Sequence, residues 1–392
     1  VKIDAIIPIK GSDNCEAAVV GGWQIMVKKN TFQRGEIGVY FEIDSKVPET
    51  EVFAFLEKKH YKIKTQRYTF GGAGNFVSQG LLMHPLDFGW TKYDDNAIII
   101  PDSGEIHRID DESRFLTKEL KVIYSAEEDN RRKANSEDKY KKMSQRRPDI
   151  FKKSWAKWMM RREWGRKVMF FFFGKKKDKK TAWPTWVQKT DEERVQCMSW
   201  ILNDKSEWIA TEKIDGSSTT ATYRKTGRKK HDYFICSRNV VFDKPDKNCY
   251  YDFNPYTEMS EKYHFEDVLG DLVEKYNLEW ATLQGETYGA GIQKREYSLK
   301  EHEFAGFNLI FSDRGRLNSV EAAAIMAEYG IPWVPIVDEK FILPDTVEEL
   351  LNIATADSAI DGGMREGLVF RSQDGTKSFK AVSNEFLLKY HN

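Results

Sequence analysis

Every second residue is apolar through two stretches of the first hundred: Trp23, Ile25 and Val27, then Ile37, Val39, Phe41 and Ile43, with Gly11, Gly21-Gly22 and Gly71-Gly72 punctuating them. A period of two broken by glycines predicts short half-buried strands, and strands this short suit a small closed barrel. From Phe151 to Met169 the period lengthens. Trp155, Trp158, Met159 and Arg162 fall at i, i+3, i+4 and i+7, which predicts an amphipathic helix with its aromatics covering one face. Helical spacing returns over 319–329 (Val320, Ala323, Ala324, Ala327) and over 346–354, where the helices are expected to flank a sheet. Residues 207–212 read as a strand from Trp208, Ile209 and Thr211, and Tyr233-Phe234-Ile235-Cys236 as another.

Composition changes this picture in three ways. A chain of 392 residues with 40% hydrophobic and 13% aromatic content fits two domains better than one. Its longest apolar run, Val168 to Phe173, is far below the roughly 20 residues of a membrane span, so no membrane partner is expected. Cys15, Cys197, Cys236 and Cys249 show no Cys-x-x-Cys spacing, which argues against a zinc site or a disulfide framework. With no secretory pattern ahead of the first strand, an intracellular, reducing compartment (cytoplasm or nucleus) is expected.

The net charge of zero hides a segregation. Residues 131–180 hold 20 Lys and Arg against 5 Asp and Glu, a local +15 that the rest of the chain balances with −15. Trp155, Trp158, Trp164 and Phe170 to Phe173 are interleaved with these cations, and that mixture pairs phosphate attraction with base stacking. Lys152, Trp155, Arg161, Arg162, Lys175, Lys176 and Lys177 are therefore candidate nucleic-acid contacts. A solvated loop, a nuclear address or a helix docked on a domain would produce the same pattern.

The sharpest chemistry lies in Thr211-Glu212-Lys213-Ile214-Asp215-Gly216. A lysine at the end of a strand, with a carboxylate two residues on and a glycine allowing a tight turn, has the spacing of an amine that attacks a nucleotide phosphate. Such an amine must lose its proton, and about 4–5 kcal/mol separates an ordinary lysine from a neutral one at pH 7. Asp215 would hold a hydrated cation that helps. Lys-x-Asp-Gly alone is weak, arising by chance in roughly one chain in twenty of this length. Further segments follow in a useful order: Ser237-Arg238, Gly285 to Lys294 (Gly-Glu-Thr-Tyr-Gly-Ala-Gly-Ile-Gln-Lys), Phe304-Ala305-Gly306-Phe307-Asn308, Glu366-Gly367-Leu368-Val369-Phe370-Arg371 and Ser378-Phe379-Lys380-Ala381-Val382. Each is an apolar strand carrying a charged or aromatic residue near its end or a glycine, as at a cleft.

Together these residues resemble the covalent nucleotidyltransferase superfamily of ligases and capping enzymes. Within it, residues 285–294 and the run Trp186 to Gln196 are similar to RNA ligases of the RNA ligase 2 type. The stretches Gly35 to Pro48 and Ser78 to Met83 resemble the N-terminal OB module of the RNA ligase 5 family. The resemblance implies an α+β chain: an N-terminal OB-fold β-barrel (1–120), a basic, aromatic, partly helical insert or linker (121–182), and a nucleotidyltransferase domain (183–392). That last domain would be ATP-grasp-like, of the DNA/RNA ligase kind, with antiparallel sheets flanked by helices. It further implies that Lys213 takes AMP from ATP, that Lys380 contacts the α-phosphate, and that Thr211, Glu212, Arg238, Glu286, Phe307 and Glu366 line the nucleotide, Phe307 stacking on adenine. Asp215, Glu286 and Glu366 would hold Mg²⁺ or Mn²⁺ through its water shell. The expected partners are RNA ends in a nicked or bridged duplex, without an obligate protein partner. A capping-type guanylyltransferase using GTP and a catalytically inactive nucleic-acid-binding relative are the alternatives. Two positions depart from the family pattern. Val382 stands where a second lysine is common, leaving Lys377 as a substitute for reaching the triphosphate, and Asn308 stands where Asp is common.

Overall fold

The computed structural model describes residues 1–70, 74–101, 104–109, 116–124, 148–173, 182–242 and 253–391, with only the backbone at Glu163 and Phe170. The chain forms two compact units, one made of Val1–Ile43, Lys64–Glu112 and Thr181–Asn392, the other of Asp44–Ile63 and Ser113–Lys180.

In the first unit the alternating N-terminal stretches become strands. Ala5–Pro8, Cys15–Val20 and Trp23–Lys28 form an antiparallel sheet, with Trp23, Ile25 and Val27 buried. Val39–Phe41 pairs with Leu81–Met83, Thr65–Thr69 with Asn75–Gln79, and Ala97–Ile100 lies between Thr91–Asp94 and Glu105–Arg108. These remain separate small sheets, and among the described residues they do not join into one closed barrel. Their core of Ile3, Ala18, Val20, Trp23, Ile25, Phe32 and Leu82 also takes in Val382 and Leu387 from the far end of the chain. The Gly21-Gly22 turn explains one close approach: a Cβ on Gly22 would lie 2.6 Å from Gln196 Cα, and the Gly22 amide donates to Gln196 O (3.0 Å).

Residues 207–382 build two antiparallel sheets. The four-stranded sheet has the order Ile336–Ile342, Glu207–Lys213, Gly367–Ser372, Ser378–Val382. The six-stranded sheet runs Val241–Phe242, Lys230–Cys236, Ser217–Gly227, Trp280–Gly289, His302–Phe311, Gly315–Arg316. Helices Pro255–Lys262, Phe265–Lys275 and Ser319–Glu328 pack on the larger sheet through Met259, Phe265, Leu269, Leu272, Ala322 and Met326. Helix Val347–Ala354 and the short 3-10 turn Ser199–Asn203 cover the smaller one, over Trp208, Phe370 and Phe379. Asn318 and Thr346 cap the two helices read from the sequence, Thr346 in a reciprocal capping box with Glu349. The chain crosses from one sheet to the other in three residues, Ile214 to Gly216, so Lys213 ends a strand of one sheet where Ser217 begins a strand of the other.

In the second unit Ser45–Lys46 pairs with Ile123–Tyr124, and the 3-10 segment Glu51–Lys59 buries Phe53 and Leu56. The single helix expected over 151–169 is broken. Helices Ser154–Met160 and Glu163–Phe173 meet at a turn in which the Arg162 amide donates to Met159 O (3.0 Å). A Cβ on Gly165 would collide with the backbone of Met159, so only glycine allows the second helix to start this close to the first. The core between them is Phe151, Ala156 and Met169; Trp155 and Trp158 are exposed instead of covering it. Lys175, Lys176, Lys177 and Cys249 lie outside the described residues.

Candidate active site

Strand alternation assembles the site. On the four-stranded sheet the cross-strand rows Lys213–Gly367–Val382, Thr211–Val369–Lys380 and Ile209–Arg371–Ser378 share one face. Trp208, Ala210, Leu368, Phe370, Phe379 and Ala381 occupy the other, packed into the core. The Lys213 ammonium donates to Glu366 Oε2 at 2.7 Å. Glu286 reaches the same place from the six-stranded sheet, opposite Ser218.

Three carboxylates thus surround one amine, and their charges decide its state. Burial pulls the Lys213 pKa down, but Glu366, Glu286 and Asp215 more than reverse this and leave it above the ordinary lysine value. Burial, reinforced by Glu366 and Asp215, pushes Glu286 up to about 8, and burial also raises Glu366 despite the Lys213 cation. Lys380 moves the other way: burial, with Lys213 and Arg194 nearby, lowers it to about 8. The Lys213 amine is therefore held charged by the groups beside it.

Asp215 is buried with its Oδ2 lacking a hydrogen-bond partner, while Oδ1 lies 3.6 Å from His391 Nε2. An orphaned carboxylate oxygen beside two further carboxylates is the donor chemistry of a hard divalent cation. Among the described residues no three such side chains are arranged to chelate an ion directly, so the set fits a cation held through its waters.

The turn is braced from one loop. Tyr297 Oη accepts the Asp215 amide (2.7 Å), and Gln293 Nε2 donates to Gly216 O (2.9 Å). Tyr297 is buried with φ +50°, and Arg295 lies 3.9 Å over its ring while making paired hydrogen bonds to Asp361 (2.7 and 3.0 Å). Gly216 is needed for space. It lacks the positive φ of a left-handed turn, and a Cβ there would strike Thr287 O and come within 2.8 Å of Glu286 Cγ.

Thr211 hydrogen-bonds Val369 O and accepts from Arg371 Nη1, both at 3.3 Å. Arg371 lies 5.8 Å from the Phe307 ring and 3.5 Å from Glu192, which also takes a hydrogen bond from Ser378. The run 186–196 is a strap: Trp186 Nε1 donates to Thr222 on the larger sheet, and Glu193 O accepts the Lys380 amide on the smaller.

Three sequence readings land elsewhere. Glu212 points to the core face, where Ser358 Oγ and the Ala359 amide (2.9 Å) hold its carboxylate. Arg238 is half-exposed and pairs with Asp191 at 2.7 Å. Lys377 also serves the core side of the sheet, joined to Asp204 at 2.9 Å, and Val382 is sunk in the N-terminal core, where a lysine would bury its charge. Asn308, in place of the usual Asp, donates to Gln284 (2.9 Å). Arg371 and Glu192 lie inside segments quoted from the sequence but carry no role there, and Tyr297 and His391 lie in none; alternation along 367–371 would have put Arg371 on the face of Val369.

The comparisons bear on this geometry. The RNA ligase family model matches residues 206–391, and an OB-fold domain model matches residues 1–85. No curated protein matches the chain. Among solved structures it is similar to Naegleria gruberi RNA ligase: a mutant with ATP and Mn (24% identity over 100% of this chain and 98% of that one, TM-score 0.70), the enzyme with PPi (24%, 100% and 97%, 0.68), and a mutant with AMP and Mn (24%, 100% and 97%, 0.69). Both matched modules and the fold of the entire chain agree: residues 206–391 match the RNA ligase family, residues 1–85 match an OB-fold domain, and the chain has the fold of Naegleria gruberi RNA ligase, with the OB-fold domain ahead of the ligase domain.

Proposed function

We propose that the protein is an ATP-dependent RNA ligase that seals 3′-hydroxyl and 5′-phosphate ends through a lysyl-AMP intermediate. The observation that carries this reading is the Lys213 amine, 2.7 Å from Glu366 and within the field of Glu286 and Asp215, at the crossing between the two sheets. Matched structures that hold ATP, AMP, PPi and Mn support it.

Three displacements on phosphorus follow. The Lys213 nitrogen bonds to the α-phosphorus of ATP as pyrophosphate leaves. A 5′-phosphate oxygen then takes the AMP from Lys213, and the terminal 3′-hydroxyl finally displaces AMP to form the phosphodiester. Lys380, on the Thr211 row of the sheet, supplies positive charge to the α-phosphate oxygens. Phe307 stacks on the adenine, with Thr211 and Arg371 behind it. Arg238 turns from Asp191 to the ribose, and Glu212 fixes the strand beneath the nucleotide from its core face. Asp215, Glu286 and Glu366 would hold the water shell of Mg²⁺ or Mn²⁺. Such an ion neutralises their field and so favours the uncharged amine. The division 1–120, 121–182 and 183–392 is our proposed functional partition, with RNA ends in nicked or bridged duplexes as substrate.

The test is incubation with α-labelled ATP or GTP and Mn²⁺ or Mg²⁺, followed by denaturing electrophoresis. An acid-labile, alkali-stable adduct from ATP alone is expected. Label from GTP would point to capping chemistry, and no label from either would sink the ligase reading.

A further inference from the structure

The helix pair Ser154–Met160 and Glu163–Phe173 fills its own seam with Phe151, Ala156 and Met169 and leaves its largest aromatics out. Trp155, Trp158 and Trp164 are 49%, 51% and 53% exposed, Phe171 and Phe172 78% and 69%. Among the described residues, five large aromatics exposed within a stretch of twenty form the kind of surface that takes a partner.

The charges say what that partner is. Residues 148–173 carry seven basic side chains against two acidic ones, a net +5. Trp158 and Trp164 meet edge to face at 5.9 Å, and the Arg162 guanidinium lies 3.8 Å over the Trp158 ring. A cation stacked on an indole is half of a ligand site for a flat aromatic carrying negative charge. A duplex hides its base faces; an unpaired strand offers them together with its phosphates.

We propose that this helix pair is a binding platform for an unpaired RNA strand. Bases stack on Trp155, Trp158 and Trp164, while Lys152, Lys157, Arg161 and Arg162 take the phosphates. The proposal rests on reading the protein as an enzyme that acts on RNA. An anionic lipid surface would also attract basic and aromatic residues, but it favours cations beside the aromatic face, whereas Arg162 lies on the face itself.

The test uses the full chain, a fluorescein-labelled 20-nucleotide oligouridine, and a blunt RNA duplex of equal length, followed by fluorescence anisotropy. Trp158→Ala with Trp164→Ala is expected to weaken oligouridine binding by roughly thirtyfold or more, the scale of two lost stacking contacts, and duplex binding by less than about threefold. Trp158→Phe with Trp164→Phe keeps the stacking faces and should stay within about threefold of the parent. Arg161→Gln with Arg162→Gln should weaken binding and reduce the salt slope by roughly 1.4 for two phosphates on a single strand. Lysyl-AMP labelling should be unchanged in all three. Unaltered oligouridine affinity in the alanine variant overturns the platform, as does an equal loss on strand and duplex. Tryptophan-dependent binding to phosphatidylserine vesicles with RNA affinity unaffected would make the face a membrane contact, and parallel loss of labelling and RNA affinity would make it structural; either overturns the proposal. A parent protein that binds oligouridine through these tryptophans without labelling would uphold the platform while the ligase reading falls.

Discussion

The two faces of the four-stranded sheet, one residue apart along each strand, do opposite work. Thr211, Lys213, Val369, Arg371, Ser378 and Lys380 lie on one face; Trp208, Ala210, Glu212, Leu368, Phe370 and Phe379 lie on the other. On the first face the Lys213 ammonium is held charged by the carboxylates around it, and just past the end of its strand one Asp215 oxygen lacks a hydrogen-bond partner. The second is closed: its rings stack (Phe370 on Phe379 at 5.1 Å, Trp208 against Phe379 at 5.4 Å), and its buried carboxylate, Glu212, has both oxygens hydrogen-bonded. A polar group fully satisfied by its own protein is structural, and one left waiting is poised for a ligand. The comparison sorts the lysines as it sorts the acids.

The largest break comes on the reactive face. Lys213→Ala removes the proposed nucleophile, and covalent labelling by ATP should fall below detection, a loss of at least about 10⁴-fold, while the thermal midpoint changes little. A variant that still accepted label would reassign the nucleophile. Phe370→Ala should do the reverse. Emptying a fully buried ring site costs about 3–5 kcal/mol, so denaturant unfolding should move sharply while the protein that remains folded still labels.

A smaller effect tests the brace behind the reactive face. Tyr297→Phe deletes only the hydroxyl that accepts the Asp215 amide, stranding a buried donor at about 1–3 kcal/mol. Labelling rate should drop about tenfold with the ATP KM nearly constant, because the turn carrying Lys213 and Asp215 loosens while the nucleotide contacts stay. A raised KM at unchanged rate would place Tyr297 in binding instead.

The same face predicts how the cation-free protein responds to pH. Glu286 titrates near 8 when folded, against 4.5 for an ordinary glutamate, so its protonated form favours the fold fully below pH 4.5, and that contribution is gone by about pH 8. Lys380 is lowered from 10.5 to about 8, so its contribution is present above 10.5 and is lost as pH falls through 8. Both penalties are then in force near pH 8, where the melting midpoint in EDTA should pass through a minimum, lower by on the order of a few degrees. Glu286→Gln should flatten the acid side and Lys380→Met the alkaline side. A midpoint that rises steadily from pH 5 to 8 would contradict the burial of these groups.

Much of this was legible from the sequence because the chemistry sits on regular elements. Lys213, Asp215, Glu286, Glu366 and Lys380 converge as their order along the chain suggested, and both capped helices appear where spacing placed them. What failed were inferences that need the third dimension. Glu212 was grouped with its neighbours, although a strand that puts Thr211 and Lys213 on one face must put Glu212 on the other. The break between Met160 and Glu163 depends on a backbone contact at Gly165 that hydrophobic periodicity does not register. Tyr297 and His391 reach Asp215 from 82 and 176 residues away in sequence, and neither belongs to a motif that would announce it.

The smallest expected effect sharpens the comparison most, because it concerns a lysine three residues from Lys380. Lys377 immediately precedes the same strand, but its ammonium turns to Asp204 at 2.9 Å, half-exposed and on the core side. Exposed pairs of this kind contribute roughly 0–1 kcal/mol. Lys377→Ala should therefore leave labelling within about twofold of the parent and stability within about 1 kcal/mol, against a loss of about 10²–10³-fold in labelling for Lys380→Ala. If Lys377→Ala raised the ATP KM tenfold at constant stability, its ammonium would have to leave Asp204 for the triphosphate when nucleotide binds. The division of labour between the faces would then hold only for the empty site.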